Sequence, residues 1–100
     1  MRLWNTKEGL KAQTVVFNHA KKLDTVNFLK EPEVDLVLPN KKLAFEIKYS
    51  KKITKKDAKN LLELPKEFKL FLISIDTYDK LDINGRKVII IPLWLFVLSI

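Results

Sequence analysis

Hydrophobic and polar residues alternate along two neighbouring segments of the chain, residues 34–38 and 43–49, which four residues separate. Because successive side chains of a β-strand point to opposite faces, this alternation predicts two half-buried strands. The connector contains Asn40, which suits a turn position with positive φ, so the two strands are predicted to form a hairpin. This hairpin carries the charged residues on which the functional interpretation depends.

Charged residues occupy polar positions of the alternation in both predicted strands. Glu46 and Lys48 share one strand face with Ala44. A connection of two or four residues places Asp35 directly opposite Glu46 and Glu33 opposite Lys48, whereas an odd connection places Asp35 opposite an apolar residue. We predict the even register, because a slip of one residue moves a whole set of side chains to the wrong face.

Two carboxylates in directly opposite positions have β-carbons roughly 5 Å apart and repel one another. A divalent cation would compensate this repulsion, and magnesium and manganese prefer carboxylate, carbonyl and water oxygens. The alternative is a solvated hairpin face on which Lys48 and neighbouring lysines neutralise the acids. Spacing alone leaves both interpretations open.

The first predicted helix covers residues 7–23, where apolar residues recur on one side and lysines on the other. Gln13 falls in the middle of the apolar side. A buried amide needs hydrogen-bond partners, so Gln13 is expected to meet either a backbone group or a polar site beneath the helix.

Three further elements are predicted around the hairpin. Residues 25–30 form a strand candidate before it. After it, Thr54 and Asp57 form a pair resembling a capping box, which begins a helix over residues 55–64 that ends at Pro65. The nearly all-apolar residues 68–75 are typical of a central parallel strand buried on both faces.

The end of the chain is predicted to hold a strand and a helix. Asn84 and Gly85 indicate a turn, residues 87–91 a strand, and Leu93–Ser99 a short helix that should bury Trp94. The resulting order is α-β-β-β-α-β-β-α. It predicts an α/β fold in which helices flank a mixed β-sheet, with the helix over residues 55–64 as a crossover.

The amino-acid composition limits which catalytic, metal and phosphate-binding sites the chain can form. With 100 residues, 47% of them hydrophobic, the chain is expected to form one domain over residues 1–100. The absence of cysteine and the single histidine exclude thiolate nucleophiles and cysteine or multi-histidine metal sites, so a metal site must use oxygen ligands. Two glycines do not supply a glycine-rich phosphate loop. The net charge of +7 is compatible with non-specific attraction to a polyanion.

No membrane or targeting segment is predicted. The first ten residues lack the apolar region of a signal peptide. The apolar run over residues 88–98 is shorter than the roughly 20 residues of a spanning helix, and Pro92 interrupts it. Together with the absence of cysteine, this indicates a cytoplasmic protein of a prokaryote.

One feature is typical of a known superfamily: Asp35, ten intervening residues, then Glu46-Ile47-Lys48 on a hairpin between helices. This pattern resembles the PD-(D/E)XK nuclease-like superfamily over almost the whole chain. The strings EVDLVL, LAFEIKYS and IIIPLWLFVL look like the C-terminal nuclease-like domain of archaeal and bacterial AAA-type ATPases. The resemblance implies a three-layer, restriction-endonuclease-like core and an ATPase domain as a candidate partner.

The resemblance also implies roles for individual residues. Asp35 and Glu46 would bind Mg²⁺ or Mn²⁺ with the backbone carbonyl of Ile47, and Lys48 would position the attacking water or stabilise charge on the phosphate. The family often has a glutamate on the first helix, four residues after a glycine. Gln13 stands at that spacing from Gly9, so the site carries an amide where the family often has a carboxylate.

Three functional hypotheses follow. The first is a metal-dependent nuclease that hydrolyses phosphodiester bonds of DNA, with the DNA backbone bound by Lys51, Lys52, Lys55, Lys56 and Lys59. The second is a catalytically inactive module of the same fold that binds DNA or a partner protein, as an accessory domain of an ATPase. A third concerns assembly, because the apolar C-terminal helix offers a surface for a homodimer.

Overall fold

The protein is built around one mixed β-sheet. A computed structural model describes residues 7–23, 27–50 and 52–99, and of residues 7–13, 28, 29 and 99 it describes the backbone alone. The helices and strands are α1 (Lys7–Ala20), β1 (Asn27–Lys30), β2 (Glu33–Leu38), β3 (Leu43–Ile47), β4 (Lys69–Ser74), β5 (Asp79–Ile83), β6 (Arg86–Pro92) and α2 (Leu93–Ser99). Two short 3-10 helices, Lys55–Ala58 and Leu61–Glu63, lie between β3 and β4.

The predicted hairpin is formed by β2 and β3 in the even register. Leu36 pairs with Phe45, and Leu38 pairs with Leu43 across a connection of four residues. The positive φ in this connection belongs to Lys42, at 57°, and not to Asn40. The observed pairs confirm the even register over residues 36–38 and 43–45. A shift by one residue would turn buried side chains of both strands to the opposite face.

The six strands lie in the order β1-β2-β3-β4-β6-β5. β3, β4 and β6 run parallel, and β4 lies between the other two. The prediction of a central parallel strand is therefore confirmed, as is the coarser prediction of an α/β fold with a mixed sheet. Residues 24–26, with which the first predicted strand begins, lie outside the described residues.

The edge strand β5 was not predicted. It pairs antiparallel with β6, and Ile83 pairs with Arg86 across the two-residue turn. Asn84 and Gly85 have φ of 54° and 84°, as a hairpin turn with two positive φ values requires. The turn prediction is confirmed. The strand before it has only two half-buried apolar residues in the sequence DKLDI, so its apolar pattern is weak.

The prediction of an α-helix over residues 55–64 is wrong, since the segment forms the two 3-10 helices. The buried apolar residues of this segment, Ala58, Leu61 and Leu64, are spaced three apart. Ala58 ends the first 3-10 helix, Leu61 begins the second and Leu64 directly follows it, and all three lie in the core of one sheet face. The connection between β3 and β4 therefore contains 3-10 helices where an α-helix was predicted.

The two faces of the sheet carry separate cores. α1 and α2 cover one face, where the buried residues are Val16, Ala20, Leu36, Leu38, Phe45, Ile47, Ile73, Ile91 and Phe96. The 3-10 segment covers the other face, where the buried residues are Val34, Val37, Ala44, Ala58, Leu61, Leu64, Leu70, Leu72, Val88 and Ile90. We call these the helix face and the 3-10 face.

The C-terminal helix α2 has the predicted bounds, but the prediction that it buries Trp94 is wrong. Trp94 is 59% exposed and Leu98 is 77% exposed, whereas Phe96 is fully buried. Phe96 packs edge-on against Phe45, with ring centroids 5.2 Å apart. One side of α2 is sufficient to cover the sheet, so Trp94 lies on the other side. In the described part of the chain, no helix has the length and apolar character needed to cross a membrane.

Candidate functional site

The predicted acidic residues lie at one edge of the sheet. The parallel strands β3, β4 and β6 all end at this edge, and β2 begins there because it runs antiparallel to β3. Asp35 is near the start of β2 and Glu46 near the end of β3. Ligands of open α/β sheets commonly bind outside the carboxyl ends of the parallel strands. The edge is thus a suitable place for a site.

Asp35 and Glu46 are held beside each other by reciprocal hydrogen bonds. The backbone N–H of Asp35 donates to Oε1 of Glu46 over 3.1 Å. The backbone N–H of Ile47 donates to Oδ2 of Asp35 over 3.0 Å. Each carboxylate thus accepts a main-chain N–H from the opposite strand, and the two acids are fixed by the hairpin itself.

Glu46 belongs to the 3-10 face of the sheet, and Asp35 is bonded beside it. The register pairs Val37 with Ala44, and both side chains lie in the core of that face. Glu46 follows Ala44 by two residues on β3, which keeps it on the same face. Asp35 precedes Val37 by two residues on β2, and its N–H bonds to the Glu46 carboxylate. Asp35 is only 4% exposed, and a buried carboxyl group needs hydrogen bonds such as the one that it accepts from Ile47.

Lys48 follows β3 directly, and a neighbouring strand holds its backbone. Its N–H donates to the carbonyl of Ile73 over 2.8 Å. Its ammonium lies 3.4 Å from Oδ1 of Asp57 in the first 3-10 helix. Lys48 therefore contacts Asp57, a carboxylate that follows the hairpin in the chain.

Asp57 has a second role in this arrangement. Its Oδ2 accepts the backbone N–H of Thr54 over 2.8 Å and the Thr54 hydroxyl over 3.3 Å. The predicted capping pair is confirmed. The ion pair with Lys48 was missed, because eight residues separate Lys48 from Asp57 in the chain and no local pattern indicates their contact.

Four of the five lysines predicted to bind nucleic acid are exposed, namely Lys52, Lys55, Lys56 and Lys59. Three of them lie on or directly after the 3-10 helix that carries Asp57, the residue that contacts Lys48. Lys51 lies outside the described residues. Gln13 lies within α1, and its side chain is outside the part that the structure describes.

The oxygen atoms at this edge are of the kind that a hard divalent cation prefers as ligands. Two carboxylates stand side by side, and the main chain of Ile47 lies against one of them. Carboxylates and carbonyls are the ligands that Mg²⁺ and Mn²⁺ prefer. Within the described part of the chain, no three His, Cys, Asp or Glu residues form a group that could hold a metal ion.

Comparison of the chain with models of known protein families, with curated proteins and with solved structures found no match.

Proposed function

We infer that the chain is a metal-dependent nuclease that hydrolyses phosphodiester bonds of DNA on a restriction-endonuclease-like core. The observation that carries this proposal is a pair of hydrogen bonds, from the N–H of Asp35 to Glu46 and from the N–H of Ile47 to Asp35, which hold both carboxylates at the carboxyl edge of the sheet. Two like charges held so closely favour a cation between or beside them. Lys48, two residues after Glu46, completes the pattern of two acids and a lysine that resembles the nuclease-like superfamily.

In this proposal, Asp35, Glu46 and the carbonyl of Ile47 hold Mg²⁺ or Mn²⁺. When bound, such an ion polarises phosphoryl oxygens and favours hydroxide formation from water near neutral pH. The protein contributes a rigid ligand pair, because Asp35 is buried and the hairpin fixes both carboxylates. Rigid placement of ligands is what makes such a site effective.

The other residues of the proposal act on the DNA. Lys48 carries the positive charge that would stabilise the phosphate, and Asp57 holds it beside the 3-10 helix. The exposed lysines of that segment would contact the backbone on either side of the cleaved bond. Lysine–phosphate contacts are independent of sequence, so we expect little sequence preference and strong salt dependence.

The test is cleavage of supercoiled, linear, single-stranded and branched DNA with Mg²⁺ or Mn²⁺. Glu46→Gln keeps an oxygen that can accept the N–H of Asp35 but removes one charge, and Glu63→Gln removes the same charge from an exposed position elsewhere. We expect cleavage by the wild type and by Glu63→Gln, and a loss of about 100-fold or more in Glu46→Gln. Absent or equal activity in all three proteins would reject the nuclease.

The second candidate is a binding module of the same fold without cleavage, acting as an accessory domain of an ATPase. The observation that favours it is the exposed lysine group, which binding needs and which does not depend on the acids. The presence of an amide at Gln13 points the same way. This module would bind DNA as well or better in Asp35→Asn, because a negative charge is removed. Metal-dependent cleavage by the wild type, or weaker DNA binding in Asp35→Asn, would argue against it.

A further inference from the structure

The outer margin of the helix face, along the edge strand β5 and its neighbour β6, is exposed. Lys80 of β5 pairs with Ile89 of β6, which packs against the core of the helix face, so Lys80 lies on that face. Tyr78 stands two residues before Lys80, and the alternation of an extended chain places it on the same face. Both side chains are exposed, and Tyr78 is 60% exposed.

Two further exposed lysines lie on the same face toward the other end of the strands. Lys87 directly precedes Val88, whose side chain is in the core of the 3-10 face, so Lys87 lies on the helix face. Lys69 stands in the same relation to Leu70. β4 and β6 are parallel and in register, so Lys69 lies beside Lys87 at a strand spacing of about 4.8 Å. We call the four exposed residues Lys69, Lys80, Lys87 and Tyr78 the outer strip.

The outer strip is cationic. Among the described residues, none of its three ammonium groups lies within ion-pair distance of a carboxylate. Asp82 stands opposite Lys87 in the β5–β6 ladder and shares the helix face. Asp79 alternates to the other face, and its Oδ1 accepts the backbone N–H of Lys80 over 2.8 Å. Like charges in neighbouring strand positions repel one another, so three lysines beside one acid favour an anionic partner.

A fixed loop presents the aromatic end of the strip. β6 separates β4 from β5 in the sheet, so residues 75–78 cross the carboxyl end of β6. The fully buried Ser74 holds this crossing, since its Oγ accepts the N–H of Thr77 over 3.0 Å and lies 3.2 Å from the carbonyl of Ile91. Tyr78 directly follows Thr77. Its backbone is therefore fixed at the edge that also carries the two acids, while its side chain stays mostly exposed.

An exposed aromatic ring in line with ammonium groups is a combination that binds single-stranded nucleic acid. Bases stack on the ring, and the phosphate backbone contacts the cations. The bases of a duplex are stacked on one another, so they offer no free face to Tyr78. Tyr78 lies about 13 Å along the strands from Lys87, and successive units of one unpaired strand can contact both.

We propose that the outer strip binds single-stranded DNA, with an unpaired base on Tyr78 and the backbone on the three lysines. Tyr78 belongs to the loop before β5, so the bound strand reaches the carboxyl edge three strand spacings, about 14–15 Å, from the strand that carries Glu46. The selection of single-stranded or partly unpaired substrates by this strip rests on the proposed nuclease. Binding itself needs neither a metal ion nor the acids.

The first experiment tests the aromatic contact. Fluorescence anisotropy in EDTA measures the binding of a labelled ten-residue oligothymidylate and of a ten-base-pair duplex. Tyr78→Leu should weaken binding of the single strand about fivefold or more and change binding of the duplex little. The matched variant Tyr78→Phe keeps the ring and should bind like the wild type. Equal weakening of single-strand and duplex binding in Tyr78→Leu, or no weakening of either, would overturn the proposal.

The second experiment tests the lysines with the same oligothymidylate. Replacing the three lysines of the strip by Gln should weaken its binding about tenfold or more. The control Lys21→Gln/Lys22→Gln/Lys30→Gln loses the same charge from exposed positions outside the strip and should weaken it far less. In the ¹⁵N-labelled wild type, the oligothymidylate should shift the backbone amides of residues 76–82 and 87. Equal weakening in the two triple variants, or shifts confined to other residues, would also overturn the strip.

The absence of metal from these measurements separates the strip from the nuclease. Strip-dependent binding by a wild type that cleaves no DNA with Mg²⁺ or Mn²⁺ would reject the nuclease and support the strip. Metal-dependent cleavage, with single-strand binding unchanged in the strip variants, would overturn the strip and support the nuclease. Glu46→Gln should bind the oligothymidylate like the wild type, because the strip does not include the acids.

Discussion

The ammonium of Lys48 lies 3.4 Å from Oδ1 of Asp57, and this contact joins the end of β3 to the first 3-10 helix. Asp57 simultaneously accepts the backbone N–H of Thr54. One carboxylate therefore caps the segment that follows the hairpin and holds the lysine of the proposed site. Its two oxygens divide these tasks, which allows them to be tested separately.

Asp57→Asn should keep the cap and lose the ion pair. An asparagine oxygen can still accept the Thr54 N–H, so we expect a loss of only about 0.5–1 kcal/mol in the free energy of unfolding. Asp57→Ala removes both interactions and should cost about 1–2 kcal/mol. If Asp57 positions Lys48, Asp57→Asn should also lower cleavage about tenfold at unchanged DNA affinity. Urea unfolding and cleavage assays measure these effects, with Asp82→Asn as the charge control.

Metal binding should be visible without any assay of activity. At a Mn²⁺ concentration 100 times Kd, binding to the folded state adds about 2.7 kcal/mol, which raises Tm by roughly 10–20 °C in a chain of this size. Wild type and Glu63→Gln should show this increase, and EDTA should reverse it. Asp35→Asn and Glu46→Gln should show little or none. An equal increase in all four proteins would place the metal elsewhere.

The lysines of the 3-10 segment should determine the salt dependence of duplex DNA binding. Replacing Lys52, Lys55, Lys56 and Lys59 by Gln removes four phosphate contacts in the proposal, so the slope of log K against log salt should fall by about 3 to 4. Fluorescence anisotropy at several salt concentrations measures this slope. The control Lys21→Gln/Lys22→Gln/Lys30→Gln should change it little. Similar slopes in the two variants would show that the salt dependence of DNA binding follows the net charge and not the position of the lysines.

Arg86 should be important for stability although it lies next to an exposed turn. Its guanidinium binds four carbonyls of the 62–68 segment, and Arg86→Ala would leave these acceptors without their donors. We expect a loss of about 2–4 kcal/mol in the free energy of unfolding. Arg86→Lys keeps the charge but has at most three donors, so it should recover only part of this loss. A loss below 0.5 kcal/mol in Arg86→Ala, measured by urea unfolding, would contradict the clamp.

The sequence was sufficient for features that depend on neighbouring residues. The alternation in the hairpin determines which side chains are buried, and that requirement selects the register in which Leu36 meets Phe45. The turn at Asn84 and Gly85 was predictable because few residues accept two successive positive φ values. The site acids follow from the same register, since Asp35 and Glu46 meet once the strands are paired.

Features that depend on distant contacts were not predictable. Asp57 reaches Lys48 only because the connection between β3 and β4 folds as 3-10 turns. Arg86 gathers carbonyls from a segment about twenty residues earlier in the chain, which no local pattern indicates. Which side of α2 is exposed depends on how much of the sheet surface remains to be covered. The residue type of Trp94 alone does not indicate this.

The two sides of α2 should respond very differently to mutation. Phe96 is fully buried and its ring contacts both Phe45 and His19 at centroid distances of 5.2 Å, so Phe96→Ala should cost about 3–5 kcal/mol. Trp94 and Leu98 are mostly exposed one helical turn apart, so replacing both by Gln should change the stability of the monomer by less than about 1 kcal/mol.

The same double variant tests whether this exposed pair forms a homodimer. Burial of Trp94 and Leu98 between two chains would remove them from water, so we expect light scattering to show a mass that rises with concentration in the wild type and stays monomeric in Trp94→Gln/Leu98→Gln. Lys21→Gln/Lys22→Gln/Lys30→Gln keeps the apolar pair and should associate like the wild type. A wild type that remains monomeric at millimolar concentration would leave α2 as an exposed surface without a second copy.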